Sequence, residues 1–241
     1  MNYKTLLILW LTWSTISATP TDQVIQYEVS YMGIPLLDMQ LTWVEDDTSV
    51  QISYDNRLKP WIAYFHPIHN IYRVHFRRTD FAPIDWSKTI SEGKMQFQLA
   101  AKLDPDRKTG RFSNGQRFEF PAGGLTVFSA THYLAARAHD PDFFPVKLPV
   151  FIDGQVWEAA ARRFDELHPH PEYRSAPGQV LIEASLHYLY GASVVAHNDI
   201  LTSVIATEGT RFILWVAPDG HYTKAQFGRF PKAVIMDQLK N

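Results

Sequence analysis

Two runs near the start of the chain alternate apolar and polar residues with a period of two, and no other feature narrows the choice of fold as much. Ile25, Tyr27, Val29 and Tyr31 fall on one side of an extended chain, and Leu37, Met39, Leu41 and Trp43 do the same against Asp38, Gln40 and Thr42. Successive side chains of a strand point to opposite faces, so each run predicts a half-buried strand. Met32-Gly33-Ile34-Pro35 lies between them with turn chemistry, and the pair reads as a hairpin.

The pattern recurs along the chain. Strands are predicted from Ser49 to Tyr54, Tyr72 to Arg77, Lys94 to Leu99, Arg117 to Phe120, Leu148 to Ile152, Val156 to Phe164, Val180 to Tyr190, Arg211 to Val216, Tyr222 to Phe227 and Lys232 to Leu239. Turn residues separate them, among them Asp104 to Gly110, Asp153-Gly154 and Ala217-Pro218-Asp219-Gly220. One segment has helical spacing instead: Val127, Phe128, Thr131, Leu134, Ala135 and Ala138, with Thr126 placed to cap it and Pro141 placed to stop it. No repeat or linker interrupts residues 19–241, so they read as a single mainly β domain.

Residues 1–18 have a different character, with Lys4, the apolar run Leu6 to Leu11, and small or polar residues ending at Ala18. That is a signal-peptide pattern, and it predicts export to a periplasm. No later stretch is long enough for a transmembrane helix, so no transmembrane segment is expected once the leader is gone. With a net charge of −2 the chain offers no basic field for phosphate backbones, which argues against nucleic acid as a partner. There is no cysteine, which excludes disulfides, lipid modification at cysteine, thiolate-bound zinc and a thiol nucleophile.

Four segments in order resemble a bacterial family of exported proteins known as domain of unknown function 3108. They are Tyr27 to Pro35, Phe128 to Arg137, Leu148 to Gly154 and Ile213 to Asp219. The resemblance covers nearly the whole mature chain and implies an open, curved antiparallel sheet or half-barrel with one crossing helix, similar to envelope lipid-carrier folds. It implies no catalytic residues.

The chemistry readable from residue types is limited. His66 and His69, with His75 downstream, and His168-Pro169-His170-Pro171-Glu172 have the ring nitrogens that zinc prefers. The proline spacing and the neighbours Trp61, Tyr64 and Phe65 point instead to a packed loop and an extended surface segment, so no metal and no cofactor are expected. Ser129 lacks a nucleophile-elbow context. A concave sheet rich in aromatics favours an apolar or amphipathic envelope ligand such as a lipid. The residues expected to touch it are Trp61, Tyr64, His66 and His69 in one loop, and Tyr133 and Arg137 on the helix, where the arginine fork would hold a carboxylate or phosphate. Two alternatives stand beside that reading. One is an envelope hydrolase or glycan-modifying enzyme using His66, His69 or His132 with Asp140 as acid and base; the other is a structural or assembly partner.

Overall fold

The computed structural model describes residues 21–164, 173–228 and 233–239. The predicted leader and the His168 to Glu172 segment lie outside these residues. In the first half, β1 (Thr21–Tyr31), β2 (Ile34–Glu45) and β3 (Ser49–Leu58) lead through the short helix α1 (Pro60–Ala63) to β4 (His69–Arg77). β5 (Pro83–Glu92), β6 (Met95–Asp104), β7 (Thr109–Phe112) and β8 (Arg117–Glu119) follow. The second half opens with β9 (Leu125–Thr126), α2 (Val127–Ala136), β10 (Val146–Ile152) and β11 (Gln155–Arg163). It ends with β12 (Val180–Gly191), α3 (Ile200–Ile205), β13 (Arg211–Val216), β14 (Tyr222–Phe227) and β15 (Val234–Gln238).

The strands join into a single 15-stranded sheet in the order β8-β7-β6-β5-β4-β3-β2-β1-β15-β14-β13-β12-β11-β10-β9. Chain neighbours pair within two meandering arms, and the first strand joins the last: Val29 of β1 sits opposite Met236 of β15 on one side and Leu37 of β2 on the other. The sheet is not closed into a barrel, but it coils until its two ends meet face to face. Phe118 of β8 stacks on Phe151 of β10 with centroids 4.7 Å apart, and Phe112 of β7 stacks on the same ring at 6.2 Å. The two-residue β9 pairs in parallel with β10, while every other pairing of named strands is antiparallel.

Burial follows the predicted alternation except at the end of β1, where Tyr31 is exposed. Tyr27, Met39, Leu41, Ile52, Tyr54, Tyr72 and Val74 all turn into the core. α2 crosses the hollow of the coil, and Leu134 is fully buried beneath it. Thr126 caps α2 as its sequence suggests, with its side chain accepting from the Ser129 backbone N–H at 3.1 Å while the Ser129 hydroxyl accepts from the Thr126 N–H at 3.0 Å. This reciprocal box satisfies two amide donors that a helix start leaves unpaired, and it occupies the Ser129 hydroxyl.

One packing expectation is overturned. Trp61, Tyr64 and Phe65 do not form a packed loop; they are 59, 88 and 81% exposed on α1 and the turn after it. α1 buries no residue of its own, and the loop is held instead by backbone bonds at its base.

Candidate ligand cavity

An apolar cavity of about 120 Å³ lies between the concave sheet, α2 and α3. Val29, Leu37 and Met236, abreast on three adjoining strands, form one wall; Val127, Phe128 and Thr131 of α2 form another. α3 supplies Ile200, Leu201, Val204 and Ile205. A protein cavity of ~150 Å³ lined by aliphatic and aromatic groups stays dry and admits benzene, so this one is large enough for a single ring or a short stretch of acyl chain.

Two polar systems border it. At the inner end, Tyr54 and Tyr222 line the cavity and face His132 of α2. The Tyr54 hydroxyl lies 2.6 Å from His132 Nε2 and 3.2 Å from the Tyr222 hydroxyl, and Tyr27 donates to the Tyr222 carbonyl at 2.9 Å. Burial, with the nearby imidazole of His221, pushes the His132 pKa down to about 3. Burial also raises the pKa of both Tyr54 and Tyr222. These shifts keep the cluster neutral at physiological pH, joined by hydrogen bonds.

The second system is charged. Lys88 of β5 forms ion pairs with Asp153, in the β10–β11 turn, and with Asp199, the residue before α3, the latter at 2.8 Å; its side chain is 2% exposed. Asp199 also accepts from the Tyr72 hydroxyl at 2.7 Å, the Thr202 hydroxyl at 2.8 Å and the Thr202 backbone N–H at 2.9 Å. Burial opposes ionisation of Asp199, but Lys88 and these donors outweigh it and lower its pKa, whereas burial raises that of Asp153. Two carboxylates sharing one ammonium separate in this way because only one can be fully compensated. A second set of bonds runs alongside: Glu92 accepts from the Asn70 amide at 2.5 Å and from the Ile200 backbone N–H at 3.0 Å.

Local structure explains the convergence. On β5 the core face reads Trp86, Lys88, Ile90, Glu92, so the strand's own periodicity turns a lysine and a glutamate inward. Asp153 and Gly154 both take positive φ, 48° and 99°, in the tight hairpin predicted at that place, and the Asp153 side chain turns in toward Lys88. A smaller chamber of about 40 Å³ lies beside the charged cluster and shares Tyr72, Val127, Phe128, Leu201 and Ile205 with the main cavity. Trp86 is among its wall residues, and its indole N–H has no acceptor among the described residues.

The residues singled out from the sequence lie elsewhere. Trp61 and Tyr64 stand on the exposed loop, which starts beside the cavity because Lys59 N–H bonds to the Leu36 carbonyl and Leu58 N–H to that of Ile68. The His66 ring covers Gly93, while His69 bonds to Asp55 at 3.1 Å, so the two histidines do not share a site. Tyr133 packs against Phe81 and Phe143, and Arg137 lies over Tyr133 and Phe143 and 3.9 Å from Asp140. None of the six lines the cavity. His132 is bonded to Tyr54 rather than Asp140, whose carboxylate accepts from the Asp142 N–H. Among the described residues no group of three or more His, Asp or Glu could hold a metal ion, and no helix is long and apolar enough to cross a membrane.

No family model matches the chain, and no curated protein does. Among solved structures it is similar to a beta-barrel-like protein of domain of unknown function DUF1849 from Brucella abortus. The TM-score is 0.52 at 9% identity, over 92% of this chain and 96% of the other. At that identity the likeness concerns the fold alone: a large, mostly β, barrel-like architecture of the kind found in a family of uncharacterised domains.

Proposed function

We propose that this protein is an exported carrier of the cell envelope, related to the domain of unknown function 3108 proteins, that binds an apolar or amphipathic molecule such as a lipid. The observation that carries the reading is the apolar cavity beneath α2 and α3. Burial of apolar surface is the main source of affinity in such a site, and the few polar groups set orientation. Here Trp86, a wall residue of the smaller chamber whose indole N–H has no acceptor among the described residues, is the candidate for such a group. The exposed aromatics Trp61, Tyr64 and Phe65, on the loop that starts beside Leu37 and Ile68, suit the edge from which a ligand would pass to a bilayer surface. The leader pattern at residues 1–18 supports a periplasmic location.

The test is native mass spectrometry with lipid analysis on the mature chain, purified gently from a periplasm without a metal resin. A co-purifying amphiphile near one to one, lost from a Val204→Trp variant that fills the cavity, is the expected result. A clean apo mass for the wild-type protein refutes tight carriage.

A further inference from the structure

Resting on that reading of the cavity, we infer that α3 is its lid and that the buried Lys88–Asp199–Asp153 cluster is the latch that holds the lid closed.

α3 is attached to the fold in an unusual way. It belongs to the second arm, in the connection between β12 and β13, and it pairs with no strand. One side of it closes the cavity with Leu201, Val204 and Ile205, while Ser203 faces solvent and Ile200 is 44% exposed at the margin. α3 is thus one of the layers between the cavity and water, beside a rim where Leu37, Ile68 and Val234 are also partly exposed. With α3 in place the space is about 120 Å³. That admits a ring or a short chain segment but not a whole acyl chain. A larger ligand needs an element to move, and apart from Ile68, held by an isolated bridge to Glu92, the other walls are paired strands or the core helix α2.

What holds the N-terminal end of α3 down comes from across the coil. Lys88 and Tyr72 of the first arm reach Asp199, Glu92 of the same arm accepts from the Ile200 N–H, and Asp153 reaches Lys88 from the β10–β11 turn. The helix is only 6 residues long, so it has little stability of its own away from these contacts. A buried ion pair adds little net stability over an apolar substitute, but it defines one geometry sharply because every other arrangement leaves charge uncompensated. That is the property a latch needs: a single closed position. The bonds that remain when α3 swings away, between Gly209 N–H and the Leu186 carbonyl and between Leu186 N–H and the Thr210 carbonyl, lie at its C-terminal side and provide the hinge.

Because the chain contains no cysteine, a single introduced one reports cleanly on opening. Val204→Cys places a thiol on the cavity side of α3, and Ala159→Cys places a control thiol on buried β11. Each is labelled with a maleimide in the wild-type background and in Asp199→Asn, which keeps a capping side chain for α3 but removes the charge facing Lys88. The expected result is labelling at position 204 faster by about tenfold or more in Asp199→Asn, the effect of losing one charge-assisted hydrogen bond, with position 159 unchanged. Equal labelling at 204 in both backgrounds overturns the latch. A parallel rise at 204 and 159 overturns it as well, since it shows general loosening. No ligand takes part in this measurement, so an apo result in mass spectrometry with latch-dependent labelling counts against the carrier reading and leaves the lid standing. Bound amphiphile with latch-independent labelling does the reverse.

Discussion

Lowering the pH from about 7 to about 5 protonates a histidine in the unfolded chain, whose ordinary pKa is 6.5, but not His132 in the folded protein, whose pKa lies at about 3. The sign follows from proton counting. The folded-state pKa is depressed, so the native state binds fewer protons than the unfolded state throughout the window from 6.5 down to 3, and stability falls as pH falls through it. At 1.36 kcal/mol per pH unit, the loss attributable to this residue by pH 5 is about 2 kcal/mol. That is a sizeable part of the ~5–15 kcal/mol by which domains are stable. Urea denaturation followed by tryptophan fluorescence at the two pH values, on the wild-type protein and on His132→Gln, isolates the effect. Glutamine does not titrate and can still bond to Tyr54, and acid losses from other groups, such as Asp55 with its lowered pKa, appear in both proteins and cancel. The wild-type protein should lose about 2 kcal/mol more than the variant between pH 7 and pH 5. Parallel losses in the two proteins would refute the argument that His132 is held neutral by burial.

Other consequences concern the charged cluster and the exposed loop. Lys88→Met leaves Asp153 and Asp199 buried without a cation and should destabilise the fold by about 3–5 kcal/mol in urea denaturation, with much of the loss recovered when both aspartates are also changed to Asn. A loss no larger than that of a surface substitution would show that the cluster is solvated. Tyr64→Ser and Phe65→Ser remove groups that are almost fully exposed and should each shift the unfolding free energy by less than about 0.5 kcal/mol. A large loss in thermal unfolding would mean that the loop packs as its composition suggests.

The local features were legible in the sequence because their causes are local. Alternation at Tyr27, Val29, Met39 and Leu41 determined which side chains enter the core, since strand geometry leaves only two faces, while Tyr31 on the same face lies at the strand's exposed end. Thr126, at the head of a helical pattern, determined where α2 begins, and Asp153-Gly154 determined a tight turn, because capping and turn chemistry act over a few residues. The aromatic loop misled because composition records that a group is apolar and not whether a neighbour covers it.

The cavity and its latch were decided only by the coiling of the sheet. Lys88 meets Asp153 and Asp199 across 65 and 111 residues of chain, and no local pattern relates those positions. One signal was present: on β5 the residue between Trp86 and Ile90 on the same face is a lysine, and a cation on a buried face requires a carboxylate from elsewhere. Period two could predict that Lys88 turns inward. Which carboxylates meet it depends on how far the sheet curls before its two arms meet, and that is a property of accumulated strand twist and core packing over the whole chain.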